Sequence, residues 1–368
     1  MASNLTQATR ELIDKTWRSA VSYGIPLLTR LLERGHVVPG GLQYEQIYES
    51  ADMESLVQEY GPNDPLTGGS KEIMEKPKWN VAYLQCPVEE SVDERVMNAP
   101  KTDAQLIKIR DKIARASVKA IKLKMAKRLY GCAVDAEVDT YHTYVQGVYS
   151  ALYPCETTAS TAQTYGGIAR TTAVNAEWRA ADDANWDTAY AINKTNLDAW
   201  LDSCMEYDDE AGTYLVLMGP TLWRRLKAQF EAANIYVPKA NMAKQGFDSM
   251  EYSGVEIAKD WLLDRMLYTT LQHKAVQAYG GSATTSLYAG LTGSPTYAGT
   301  AAVLVLNLDT WNLRYWQDPD GSGPFEMTEF FEQDKIEGGR EMKLARVKWK
   351  GNLTCDMPNR NVMRANVS

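Results

Sequence analysis

The sequence predicts an α+β protein in which strands and helices occupy separate stretches of the chain and one long helix organises the rest. Three observations carry this expectation. Residues 101–131, KTDAQLIKIRDKIARASVKAIKLKMAKRLYG, contain no proline and no glycine before Gly131. Ahead of them, two β-prone stretches joined by about 20 polar, turn-rich residues read as a long hairpin. Behind them, TYLVLM followed by Gly219, Pro220 and LWRRLKAQFEAAN reads as strand, turn and helix, and the chain ends in further strand-like runs.

Composition bounds the answer. With 368 residues, 45% hydrophobic and 23% charged, the chain can bury a large core in two or three subdomains. No apolar run approaches the roughly 20 residues of a membrane span, and the N-terminus lacks a signal peptide's apolar core, which points to synthesis inside the cell. Cys86, Cys132, Cys155, Cys204 and Cys355 are odd in number and widely spaced, without CxxC. They predict buried free thiols rather than a disulfide framework or a thiolate zinc site. The 21 Tyr and 10 Trp against 5 Phe supply large amphipathic contact area, suited equally to core packing and to interfaces.

Thr102 suits the N-cap of the long helix, Asp103 its first turn and Gly131 its C′ position. At 100° per residue Leu106, Ile109, Ile113, Ala116, Ala120 and Leu123 form one apolar ridge. Ile107, Ala114, Val118, Ile121, Met125 and Leu129 form a second. Between them runs a narrow basic line of Lys108, Lys112, Arg115, Lys119 and Lys122. Ten basic residues against two aspartates give 101–131 a net charge of +8 in a chain of −8, so the remainder sums to −16. The line reads either as a solvated face that pairs with acidic neighbours, or as a non-specific phosphate contact, which needs charge alone.

Residues 1–35 are amphipathic through Leu12, Ile13, Trp17, Val21, Leu27, Leu28, Leu31 and Leu32, with Pro26 dividing the run, and predict an arm that docks elsewhere. PGG then leads into the alternating Leu42, Tyr44, Ile47 and Tyr48, and IMEKPKWNVAYLQCPV forms the return arm of the hairpin. Without a core of its own, such a hairpin is expected to pack on another subunit. After the long helix, VDTYHTYVQGVYSALY is β-prone, TYGGIART makes a glycine turn, and a helix is expected from about Trp186 to Met205. Thr221 is the expected cap of the helix after TYLVLM. MEY and VEIA flank a Ser253–Gly254 hairpin turn. Residues 279–300, glycine-rich and polar, suit a surface insertion, and AVLVLNL, WNLRYW and KLARVKWKGNLTC suit strands.

The chemistry of catalysis is missing from the sequence. It has no GxxxxGKS/T loop, GxSxG elbow, HExxH or GxGxxG after a strand, and His36, His142 and His273 are isolated. Neither an enzyme nor a cofactor is expected. One local match is weighed against a plain turn: DPDGSGPFEMTE places Asp318, Asp320 and Ser322 at positions 1, 3 and 5, Gly323 at 6 and Glu329 at 12 of an EF-hand-type calcium loop. Its flanks read as a strand and an acidic irregular stretch, and Pro319 and Pro324 are unusual in such a loop, so an Asx and glycine turn is the favoured reading.

An ordered series of short motifs resembles the major capsid protein of tailed bacteriophages, the family of the Hong Kong ninety-seven fold. The series is PGGLQYEQI, PKWNVAYLQCPVEESVDERVMN leading into the long helix, VQGVYSALY, YGGIART with Trp178, TYLVLMGPTLWRRLKAQFE, QGFDSMEYSGVEIAKD, VLVLNLDTWNLRYW and KWKGNLTC. The resemblance implies an N-terminal arm over 1–40, an extended E-loop over 41–90 and a peripheral domain over 91–205 with its spine helix at 101–131. It also implies an axial domain over 206–310 with an insertion at about 265–301, and C-terminal strands over 311–368 returning to both domains.

In that reading Asp52, Glu54, Asn63, Asp64, Lys71 and Trp79 of the E-loop meet a neighbouring subunit. The basic line Lys108 to Lys122 faces packaged double-stranded DNA. The resemblance further implies hexamers and pentamers of the chain, with portal and separate scaffolding proteins as partners and no membrane. Two alternatives remain open: an encapsulin-like compartment of the same fold, and a soluble DNA-binding protein using the basic helix. The acidic remainder of the chain argues against the second.

Overall fold

The computed structural model describes residues 25–38, 43–49, 74–91, 103–130, 145–152, 163–170, 178–182, 189–206, 213–233, 237–238, 249–263, 301–316, 325–327, 331–333 and 342–368, together with 41, 57 and 59. Among them five α-helices occur: α1 (Pro26–Glu33), α2 (Asp103–Tyr130), α3 (Val148–Leu152), α4 (Lys194–Met205) and α5 (Pro220–Ala232). The strands are β1 (His36–Val38), β2 (Gln43–Glu45), β3 (Tyr48–Glu49), β4 (Met74–Glu75), β5 (Lys78–Asn80), β6 (Ala82–Ser91), β7 (Gln163–Tyr165), β8 (Ile168–Arg170) and β9 (Tyr214–Met218). They continue with β10 (Val237–Pro238), β11 (Ser249–Tyr252), β12 (Val255–Lys259), β13 (Ala301–Asn307), β14 (Trp311–Trp316), β15 (Glu326–Met327), β16 (Phe331–Gln333), β17 (Met342–Cys355) and β18 (Val362–Val367).

The fourteen-residue β17 organises the first sheet. It pairs antiparallel with β6 along Met342–Gly351, and with β14, β15 and β16; β1 lies parallel to β14 at the edge. The second sheet runs β10-β11-β12-β9-β13-β18. Its centre, β9, is buried along its whole length, as a strand covered on both faces must be. Val216, Met218, Ile257, Val303 and Val305 meet Leu197, Trp200 and Leu201 of α4 and Leu222, Leu226 and Phe230 of α5 on one face. From the other face Leu215, Leu217, Leu304 and Leu306 join a larger core with the first sheet, α1 and α2.

Strand-to-helix periods placed most elements correctly, and the exceptions have local causes. Residues 148–152 are helical although β-prone, because Val145, Val148 and Ala151 are buried at a spacing of three. α4 begins at Lys194, not Trp186, where the Asn193 side chain accepts from the Asn196 amide at 2.8 Å. α5 is capped by Gly219 with Pro220 in the first turn, not by Thr221, because proline already supplies the helical φ. Ser253 and Gly254, with φ of 50° and 77°, make the tight β11–β12 turn as expected. Part of the stretch read as an arm docks on its own chain: Leu27, Leu28 and Leu31 of α1 are buried in the larger core and β1 extends the first sheet. The expected insertion at 265–301 lies outside the described residues, apart from Ala301 at the start of β13.

Candidate functional site

The base of the long hairpin is built by pairing. β2 pairs with β5, placing Tyr44 opposite Trp79, and β3 pairs with β4, placing Tyr48 opposite Glu75. An aromatic cage fastens this base to the chain's own core. The Trp178 ring lies 4.4 Å from Tyr48, 5.8 Å from Tyr165 and 6.4 Å from Trp79, centroid to centroid. Its indole N–H donates to the Tyr165 carbonyl at 3.0 Å, and the Tyr165 hydroxyl accepts from the Cys355 amide at 2.8 Å. The β7–β8 turn needs Gly166, whose φ is +60°, since a Cβ there would sit 2.9 Å from the Pro77 side chain and 3.2 Å from Trp79.

Trp79 was expected to meet a neighbouring subunit; it is instead fully buried in its own chain, because the cage supplies the core that the hairpin sequence lacks. Asp52, Glu54, Asn63, Asp64 and Lys71 lie outside the described residues. Outward from the cage, Ile47 and Met74 are 63% and 60% exposed. These apolar side chains find no cover within the described chain.

α2 runs for 28 residues, about 42 Å, against β6 and β17. Over its C-terminal half the second apolar ridge is the buried one: Val118, Ile121, Met125 and Leu129 enter the core. Of the first ridge, Ala116 and Ala120 are exposed and Leu123 is 40% exposed, beside exposed Lys119, Lys124 and Lys127. Only one side of the helix can meet the sheet, and the sequence, apolar on both sides, does not say which.

Lys122 belongs to the wrong line for the same reason. It was expected on the basic face but is buried at 6% exposure beside Ile121, so the outward cations at this end are Lys119, Lys124 and Lys127. The side chains of Lys108, Lys112 and Arg115 lie outside the described residues. Burial lowers the Lys122 pKa to about 7. Because folding disfavours its charged form, its contribution to stability grows as pH rises from about 7 toward 10.5, the unfolded value. Lys122→Met should therefore stabilise the chain by on the order of 2 kcal/mol at pH 7. In urea unfolding the native chain should gain stability between pH 7 and 10 relative to the variant; parallel pH profiles would show that Lys122 holds its charge without cost.

The end of α2 meets the second sheet through a buried pair. The Tyr130 hydroxyl donates to Asp260, whose other oxygen accepts from the Leu262 amide at 2.8 Å. Burial pushes the pKa of both groups up. Arg364 of β18, buried, pairs with Asp182 and lies over the Tyr190 ring. These contacts fix elements against one another rather than hold a ligand.

Asp318, Asp320, Ser322 and Glu329 of the calcium-loop candidate lie outside the described residues. The strands around them, β14 before and β15 and β16 within and after, are not the helix pair of an EF-hand. Among the described residues no group of three or more His, Cys, Asp or Glu is placed to hold a metal, and no helix is long and apolar enough to cross a membrane.

A long helix laid on one sheet, joined to a second sheet flanked by two helices, is the arrangement of the Hong Kong ninety-seven fold. Among the solved structures that share it, two are similar over most of the chain. The capsid asymmetric unit of cyanophage A-1(L) is similar at a TM-score of 0.61 and 13% identity, over 94% of this chain and 93% of that chain. The holo-SrpI encapsulin complex from Synechococcus elongatus PCC 7942 is similar at 0.51 and 11%, over 93% and 87%. No protein-family model matches the sequence, and no curated protein is significantly similar to it.

Proposed function

We propose that the chain is the major capsid protein of a tailed bacteriophage, self-assembling as hexamers and pentamers into the icosahedral head that encloses double-stranded DNA. The observation that carries this reading is the end-to-end likeness to the cyanophage A-1(L) capsid chain, in which neither chain leaves a domain unmatched. A hairpin fastened at its base and bearing exposed Ile47 and Met74 supports it, because such a surface is complete only against another subunit. In this reading residues 41–90 form the E-loop, α2 is the spine helix of the peripheral domain, and the second sheet belongs to the axial domain. The outward cations of α2 meet packaged DNA through charge alone. Portal and scaffolding proteins are the further partners, and the protein resides in the virion head after assembly in the bacterial cytoplasm.

The likeness to the encapsulin chain favours a second reading, a compartment shell that holds a protein cargo. Negative-stain electron microscopy of the purified chain, expressed alone and with the neighbouring genes, tests both. Closed polyhedra or capsomer rings with copurifying DNA support the capsid, closed shells with a bound protein and no DNA support the compartment, and monomers in both preparations overturn the two together. Deleting Ala51–Ser70, the hairpin tip, should leave a folded chain with an unchanged circular dichroism melt that forms no closed shells. Normal shells from that deletion would overturn the E-loop assignment.

A further inference from the structure

β12 separates its charges by face. Glu256, Ala258 and Asp260 alternate toward the larger core, where the two acids meet Arg30 and Tyr130. Val255, Ile257 and Lys259 alternate toward α5. Lys259 Nζ stands 5.1 Å from the centroid of the Trp223 ring in α5, and Lys227 Nζ stands 5.2 Å from the same ring. Each ammonium is attracted to the indole, but the two repel one another. Arg224, exposed, lies three residues before Lys227 on the same side of the helix. α5 has no acid in its first turn and no base in its last, the reverse of what its dipole favours, so the helix itself supplies nothing to neutralise its positive end. Two residues beyond Lys259, Trp261 is 45% exposed.

We propose that this corner of the second sheet binds single-stranded nucleic acid, with backbone phosphates on Arg224, Lys227 and Lys259 and a base stacked on Trp261. The three cations call for a polyanion, and the exposed indole selects among polyanions. A duplex keeps its bases stacked inward and offers phosphates alone, whereas a single strand can lay the flat face of a base on an exposed ring. An acidic peptide would satisfy the cations but brings no planar group to cover Trp261. Glu231, which pairs with Lys227 at 3.6 Å, lies one turn further along α5 and leaves the Arg224 end of the strip to the ligand. The contact needs one chain, and it stands whether or not shells close.

Fluorescence anisotropy of the purified chain with a labelled oligothymidylate of about 12 nucleotides tests the site. The native chain should bind. Trp261→Ala should weaken binding about tenfold and leave its salt dependence unchanged, because stacking releases no counterions. Trp261→Phe should keep most of the affinity. Arg224→Glu with Lys227→Glu should weaken binding about tenfold or more and flatten the salt dependence. Lys119→Glu with Lys124→Glu, on α2, should change nothing. Circular dichroism melts of all four variants should match the native melt; where the Arg224 and Lys227 pair disturbs it, the two Trp261 variants decide. No binding by the native chain, native-like binding by Trp261→Ala, or a duplex of the same length bound as tightly as the single strand overturns the site. Loss of binding in the α2 variant alone assigns the strand to the long helix, and oligoglutamate that competes better than unlabelled oligothymidylate assigns the corner to an acidic protein; either result also overturns it.

Discussion

Trp178→Ala should destabilise the chain by about 4 kcal/mol and abolish shell formation with it. The indole has no exposed surface and touches three aromatic rings from three other segments, Tyr48, Trp79 and Tyr165. Truncation leaves a cavity ringed by rigid side chains that cannot collapse into it, the condition under which large-to-small changes cost most. It also removes the donor that holds the Tyr165 carbonyl. The consequence reaches beyond stability, because the cage holds the hairpin to the core. Trp178→Phe should recover more than half of the loss, since the ring stacking survives and one hydrogen bond does not. Urea unfolding of both variants checks this, and a loss below about 1 kcal/mol for alanine would mean that the root repacks freely.

The sequence reveals elements wherever one local signal is decisive. YLVLM, an unbroken apolar run closed by Gly219, reads only as a covered strand, and the φ demands of the Ser253–Gly254 turn fixed the β11–β12 hairpin. What it does not reveal is which of two chemically similar surfaces is turned inward. α2 offers apolar ridges on both sides, so the burial of Lys122 and the exposure of Leu123 are decided by β6 and β17, which lie elsewhere in the chain. Trp79 looks like an interface residue until Tyr165 and Trp178, about a hundred residues later, are brought beside it.

The joint between the two sheets gives the other large effect. Two direct crossings between the sheets, from β13 to β14 and from β17 to β18, each run through a 3-10 turn, at Leu308–Thr310 and Pro358–Arg360. Asn361, fully buried, ties both crossings. Its oxygen accepts from the Asn307 amide at 2.9 Å and the Trp311 indole at 2.7 Å, and its amide donates to the Met357 carbonyl at 2.9 Å and the Thr310 hydroxyl at 3.1 Å. Asn361→Ala leaves two buried donors unmet at roughly 1–3 kcal/mol each, so a total loss of about 4 kcal/mol is expected in urea unfolding. Asn361→Asp separates the roles of the two atoms. Ionised, it keeps the acceptors but loses both donors and buries a charge; protonated, it regains one donor. Burial raises the pKa of such a carboxyl, so the folded state favours its neutral form and the variant should grow more stable relative to the native chain as pH falls from 7 toward 4. A variant whose deficit is the same at both pH values would show that water, not the side chain, carries these bonds.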